Sequence, residues 1–244
     1  MAEQETTERA AVQVARKIAG QIRSGGMRPG TKLPAEHNMV EELGVARATV
    51  REALRFLELQ GALRIKAGPG GGPVVSVPGT EHLASVLSLQ LQFAGAPYQA
   101  VLDARGSIYP VLAAEAADHA NHQDIELLRQ SLSEMAANVE DPDFVLREHR
   151  RFQALVASAS GNMVLGLFVN ALHRISELTG IRLDSKWCRG AVRDCEEVIS
   201  AIERGDAEAA REATQKHQDA AKRYLEKTVP DRLKEPVAWM GPDQ

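Results

Sequence analysis

Between Pro34 and Gln60 the chain spells two short helices around a single glycine, and this stretch constrains the fold more than any other. Pro34 suits a first helical turn, and Met39, Val40 and Leu43 supply the apolar positions of the first helix. Gly44 ends it, because glycine takes the left-handed conformation of a helix terminus at little steric cost. From Arg47 onward Val50, Ala53, Leu54 and Leu57 recur at helical spacing and predict one buried face. Arg47, Arg51 and Arg55 are four apart, so they stack as a basic stripe beside that face. Helix, glycine turn and a second helix with basic residues at its start form the helix-turn-helix pattern, whose second helix enters a DNA major groove N-terminus first. The alternative is a helical hairpin with a solvated arginine face.

The next segment favours the first reading. Ala62 to Lys66 alternate, a glycine- and proline-rich loop runs from Gly68 to Pro73, and Val74 to Val77 precede Pro78. Two β-type runs about such a loop predict a hairpin, a wing placed directly after the recognition helix. Its tip lacks bulky side chains, so the backbone at Gly68 and Gly70 can approach phosphates, with Arg64 and Lys66 supplying charge. No Gly-Lys-Ser/Thr run completes a nucleotide-binding loop.

The run Arg28-Pro29-Gly30-Thr31-Lys32-Leu33-Pro34-Ala35-Glu36, followed by Leu43-Gly44-Val45, Arg47, Val50-Arg51-Glu52-Ala53-Leu54, Leu57, Gly61 and the glycine-rich wing, resembles the winged helix-turn-helix domain of GntR-type bacterial transcription regulators. The resemblance implies that Arg47, Thr49 and Arg51 touch double-stranded DNA and that the wing glycines border the minor groove. Two departures stand out. His37 occupies a position where the family often has arginine, and Ala46 replaces a usual Ser or Thr. An alanine N-cap gives up a side-chain acceptor worth about 1 kcal/mol.

Charge is distributed to match. Residues 1–78 hold 11 Lys+Arg and 8 Asp+Glu, a balance of +3, whereas residues 79–244 hold 18 and 25, a balance of −7. Local positive charge governs DNA affinity, so the acidic remainder does not argue against it. No run approaches the roughly 18 apolar residues of a membrane span. The acidic start, with Glu3, Glu5 and Glu8, does not read as a secretory signal, and two cysteines, Cys188 and Cys195, make no disulfide framework. A cytoplasmic protein is expected.

Residues 1–8 read as frayed, and Arg9 to Ser24 as an amphipathic helix through Val14, Ile18 and Ile22. After Pro78-Gly79-Thr80 the chain reads as helical over 81–94, 97–120, 124–139, 142–159, 163–180, 187–204 and 206–228. Short breaks between them predict an antiparallel bundle. The expected domains are therefore 9–78, winged helix-turn-helix; 79–228, an all-helical effector-binding and dimerisation domain; and 229–244, a proline-containing tail in which Trp239 is a candidate for docking. The fold class is mostly α, with one small β-hairpin.

The helical region resembles the effector domain of the FadR branch of the same family. The resemblance rests on Leu102-Asp103-Ala104-Arg105 with Pro110, on Phe152 and Leu155 before Ala159-Ser160-Gly161-Asn162, and on Ala201-Ile202 with Gly205 to Ala210 and His217. Many members hold a divalent metal with an Asp and three His. Here those positions are His149, Gln153, Cys195 and His217, so only the last is kept. Zinc on His149, Cys195 and His217, with water or Gln153 as fourth ligand, is one expectation. The favoured one is that metal binding is lost and no cofactor is held, because Gln is a poor ligand and a lone Cys is commonly a small buried hydrophobe.

Arg105 matches the family's cavity-facing arginine, which implies a bidentate grip on a ligand carboxylate. Its alternative is a surface ion pair with Asp103 or Glu115. Tyr109, four residues on, lies on roughly the same face and is a second candidate. The effector-binding set is thus Arg105, Tyr109, His149, Gln153, Cys195 and His217. His119, His122 and His173 read as surface or satisfied core. Ser107, Ser158 and Ser160 have no positioned base. The expectation is a ligand-responsive homodimeric regulator, a repressor on a pseudo-palindromic operator, with a small carboxylate or acyl-CoA-type effector. The alternatives are a metal-binding or enzymatic bundle, and a constitutive DNA binder with a vestigial pocket.

Overall fold

The computed structural model describes residues 2–68, 70–177 and 183–241, with side chains from residue 9 onward. The chain divides between His82 and Leu83 into two compact units.

The first unit contains α1 (Ala2–Ser24), α2 (Glu36–Leu43), α3 (Arg47–Leu59), β1 (Leu63–Lys66) and β2 (Gly72–Val75). Residues 2–8, read as frayed, continue the backbone of α1. The four-residue spacing of Val14 and Ile18, flanked by Ala11 and Ala15, puts these side chains on one buried face. Val14, Ala15 and Ile18 pack against Leu33, Met39, Val50, Ala53, Leu54, Leu57, Leu63 and Val75. Gly44 takes φ 64° and its amide returns to the Val40 carbonyl at 3.0 Å, so the turn between α2 and α3 needs a residue without a Cβ penalty. Ala46 caps α3 without any side-chain hydrogen bond.

β1 and β2 pair antiparallel, Leu63 opposite Val75 and Lys66 opposite Gly72, and Lys32 adds a short bridge to Val74. A Cβ on Gly71 would lie 2.2 Å from the Lys66 carbonyl oxygen, so only glycine fits where the hairpin turns back. Pro69, in the expected loop, lies outside the described residues.

The second unit is helical. Its elements are α4 (Thr80–Phe93, whose first turn precedes the division), α5 (Tyr98–His119), α6 (His122–Ala137), α7 (Pro142–Ala159), α8 (Met163–Glu177), α9 (Ser185–Glu203), α10 (Ala207–Thr228) and α11 (Pro230–Lys234). Local chemistry sets several starts. Asn121 and Asp124 form a reciprocal capping box, while Asp141, Asp184 and Asp206 accept the amides of Phe144, Trp187 and Ala209. The expected end of α8 at 180 lies outside the described residues, which carry the helix to Glu177.

One core joins α6, α7 and α9 through Leu128, Leu132, Met135, Val145, Phe152, Val156, Val198 and Ile199. A second gathers Ala84, Tyr98, Val101, Ala171, Leu172 and Ile175 with Val237 and Met240. That membership corrects the expectation of a tail. Tyr98 donates its amide to Glu235 O, and Val237 donates its own to Ala96 O. Leu233, Val237 and Met240 are buried, and Ser85 Oγ donates to Met240 O while Met240 N donates to Ser88 Oγ. Trp239 does dock, through Nε1 to Ser85 Oγ, with its ring half exposed.

Candidate nucleic-acid interface and ligand cavity

Helical spacing carries Arg47, Arg51 and Arg55 to the exposed side of α3, opposite Val50, Ala53 and Leu57. Arg51 Nε donates to Glu36 Oε2 at 2.9 Å, and Arg47 Nε lies 3.7 Å from the same oxygen. Glu36, overlooked in the sequence, therefore aligns two guanidiniums that remain 59% and 67% exposed at the side chain. His37 is exposed on α2, and Lys66, Gly68 and Gly70 are exposed at the wing. Lys32, also overlooked, donates from Nζ to the Gly70 carbonyl at 2.6 Å and props the tip. Thr49 requires a correction. It is 7% exposed and counts among the packed residues of α3, so its side chain offers DNA almost no surface.

The second unit holds a cavity of about 360 Å³. Arg105 from α5, His149, Arg150 and Gln153 from α7, His173 and Ser176 from α8, and His217 from α10 line its polar side. Trp187, Ala221 and four leucines, Leu102, Leu146, Leu183 and Leu225, supply its apolar lining, and Asp143, Glu177, Gln218 and Lys222 complete the wall. Arg105 donates from Nη1 to Ser176 Oγ at 2.7 Å and from Nη2 to Gln153 Oε1 at 3.1 Å. Its Nε is buried without a partner, and among the described residues no carboxylate pairs with it. The expected alternative partners are occupied elsewhere, Asp103 by Lys222 at 2.7 Å and Glu115 by Asn162. Arg150, by contrast, is neutralised by Glu177 at 3.3 Å. A guanidinium facing a cavity with neutral partners and an unfilled N–H favours an incoming anion.

Part of the polar wall is a chain of rings. His149 Nε2 and His217 Nε2 are 2.8 Å apart, and His217 Nδ1 lies 3.3 Å from Asp194 Oδ2. A hydrogen on His217 Nδ1, directed at Asp194, leaves its Nε2 to accept from His149. Burial, with His217 and Arg105 adding to it, drives the His149 imidazole well below its ordinary pKa. Burial and Arg105 do the same to His173. Hydrogen bonds from His217 and Arg193 hold the Asp194 carboxyl below its usual range. Tyr109 and Cys195 stand one layer back from the large cavity instead of lining it. The Tyr109 ring packs under Arg105, and its hydroxyl meets His173 Nδ1 at 3.2 Å. Burial pushes both the Tyr109 hydroxyl and the Cys195 thiol up.

Of the residues expected from the sequence, Arg105, His149, Gln153 and His217 line this cavity, while Tyr109 and Cys195 line a smaller pocket together with His149, Gln153 and His217. The sequence missed Asp194 and Ser176, and it set His173 aside. Their only signal was position: His173 and Ser176 are three apart at the C-terminal end of a largely apolar helix, and Asp194 adjoins Cys195.

His149, Cys195 and His217 bring ligand atoms within 4.8 Å of one another, so the residues can be tested against a metal. Two nitrogens bound to one tetrahedral zinc sit roughly 3.3 Å apart, wider than the hydrogen-bonded pair found here. Cys195 would have to ionise against burial, and Gln153 Oε1 already accepts from Arg105. The donor set suits a hydrogen-bonded wall better than a metal centre.

Comparison with known proteins agrees with both units. Residues 10–72 match the model for bacterial regulatory proteins of the gntR family, and residues 100–220 match the FCD domain. The chain is 31% identical to the HTH-type transcriptional regulator Mce2R of Mycobacterium tuberculosis, over 88% of this chain and 91% of that one. It is 28% identical to the Exu regulon transcriptional regulator of Escherichia coli, over 87% and 83%. Among solved structures, Streptococcus agalactiae GntR shares the fold with a TM-score of 0.70 at 22% identity, covering 88% of this chain and 99% of that one. These relatives are named transcriptional regulators, which sets aside the enzymatic reading. The chain, a winged helix with an aligned arginine edge followed by a helical unit that holds a cavity, thus belongs to the GntR family of bacterial transcription regulators, in its FCD-domain form.

Proposed function

We propose that this protein is a cytoplasmic homodimeric repressor whose operator is released when a small carboxylate enters the helical unit. Arg105 carries the proposal. Its charge faces the cavity, is held in place by two neutral side chains and pairs with no carboxylate among the described residues. A ligand carboxylate would fill the vacant Nε–H together with one Nη, while the leucines and Trp187 receive its apolar part. That division favours an organic acid with a hydrocarbon portion, or an acyl group, over a fully hydroxylated acid.

On DNA, Arg47 and Arg51 read or clasp the major groove, Arg55 follows the backbone, and Gly68, Gly70 and Lys66 bring the wing to an adjoining groove. The first-turn amides of α3, left uncapped by Ala46, are free to meet a phosphate. Two copies would read the halves of a pseudo-palindrome. The ligand acts only through its preference for one arrangement of the dimer.

For metal, we favour none: His149, His217 and Asp194 already satisfy one another as a hydrogen-bonded wall. Elemental analysis of protein purified without chelator tests this, and stoichiometric zinc lost on Cys195→Ser would reverse it.

The ligand reading is tested by thermal unfolding of the full chain with straight-chain monocarboxylates of four to ten carbons. A tight binder at about a hundred times its dissociation constant adds roughly 2.7 kcal/mol. Stabilisation by at least one chain length, absent in Arg105→Ala, is expected. If no acid shifts either protein, the pocket is vestigial and the chain is a constitutive DNA binder.

A further inference from the structure

Among the described residues three cations line the cavity, Arg105, Arg150 and Lys222, and the fold treats them differently. Lys222 Nζ is engaged by Asp103 Oδ1 at 2.7 Å. Arg150 Nη1 lies 3.3 Å from Glu177 Oε1, and this pair is mostly buried, its side chains 28% and 26% exposed. Arg105 has the neutral partners Ser176 and Gln153 instead. The rings do not change that balance. Burial keeps His149 and His173 neutral, and His217 has the Asp194 carboxylate against it. Asp143, exposed on α7, adds a negative charge to the wall. Of the three cations, one is thus left without a carboxylate.

Glu177 is the residue that withdraws a second. It follows Ser176 on α8, so one turn of helix offers Arg105 a neutral hydroxyl and Arg150 a carboxylate. Its other oxygen accepts from Arg174 Nη1, which fixes the carboxylate between two guanidiniums. On α7, Arg150 stands three residues before Gln153, the residue that meets Arg105, so both arginines serve one wall. They also sense each other. Burial lowers the Arg150 pKa, Glu177 opposes that, and the charge of Arg105 adds to it.

We propose that Glu177 sets the charge of the ligand: by neutralising Arg150 it restricts the cavity to organic acids that bring one negative charge into it, and turns away those that bring two. The inference rests on the carboxylate reading above and narrows it. A second ligand carboxylate could reach Arg150 only by displacing Glu177, and would otherwise lie beside a like charge in a mostly buried wall. With a neutral side chain at position 177, Arg150 would face the cavity without that counter-ion, and a second carboxylate would gain a guanidinium partner.

Calorimetric titration of the full chain at neutral pH tests this with three probes of equal chain length. They are the straight-chain monocarboxylate, the α,ω-dicarboxylate and the monomethyl ester of that dicarboxylate, which keeps both polar ends but carries one charge. Wild type should bind the monocarboxylate, and should bind the half-ester at least about tenfold more tightly than the dicarboxylate. Glu177→Gln should tighten the dicarboxylate by about tenfold or more, and Glu177→Gln/Arg150→Gln should lose that gain. A wild type that takes the dicarboxylate as tightly as the half-ester, or a Glu177→Gln protein with an unchanged preference, would overturn the assignment and leave the carboxylate reading standing. If none of the three probes binds wild type, that reading fails and this inference with it. Should Glu177→Gln lose helical circular dichroism, Arg150→Gln decides. No loss of dicarboxylate affinity is expected from it, and a loss of about tenfold would mean that Arg150 already receives a second carboxylate in the wild type.

Discussion

Arg51 and His149 show how one residue's surroundings decide its use. Arg51 leans on Glu36 in an exposed ion pair, a contact worth about 0–1 kcal/mol and readily exchanged for a phosphate or a guanine edge. Arg51→Ala should therefore weaken binding to a selected operator duplex by about 1–3 kcal/mol with the sedimentation profile unchanged; unaltered affinity would take Arg51 off the interface. His149 and His173 are the reverse case, rings kept neutral by burial. Unfolded, each binds a proton near 6.5; folded, each does so only at much lower pH. Below about pH 6.5 the unfolded chain thus holds more protons, and stability falls as pH falls, by up to about 1.4 kcal/mol per pH unit for each ring. Urea unfolding at about pH 7 and about pH 5.5 should show that loss, and His173→Gln should reduce it. A profile flat across this window would mean that both rings are charged in the fold.

At the scale of elements, the sequence showed what local rules control. The glycine turn, the arginine stripe and the apolar rows of α3 follow from spacing, and Asp206 announces its helix by its capping chemistry. What depends on long-range packing was hidden. Val237 and Met240 bound a four-residue apolar run between Pro236 and Gly241, too short to show any period, yet they complete the core of α4, α5 and α8. Tyr109 follows Arg105 by one helical turn, but α8 covers it through His173. Thr49 sits between two exposed arginines and is nonetheless packed. Truncation after Lys234 tests the strap. Burying Val237 and Met240 stabilises by roughly 1.5–3 kcal/mol each, so removal should lower stability by about 3–6 kcal/mol as an upper bound. Calorimetry should place the loss in the helical unit, and an unchanged melting profile would return these residues to the status of a tail.

For the whole molecule, a +3 and a −7 portion of one chain divide the work between DNA and ligand. The arginine edge of α3 lies in the basic portion, and the cavity that Arg105 faces lies in the acidic one. On the proposed reading regulation needs both, and ligand occupancy would change the arrangement of two copies by as much as the ligand's own preference allows. The most direct measurement is fluorescence anisotropy of a duplex selected from a random pool, titrated with the full chain in the presence and absence of the stabilising carboxylate. The wild-type protein should bind the duplex and lose at least tenfold in affinity with the acid, while Arg105→Ala binds equally well and ignores it. Release of Arg105→Ala by the acid to the same extent as wild type would contradict the account.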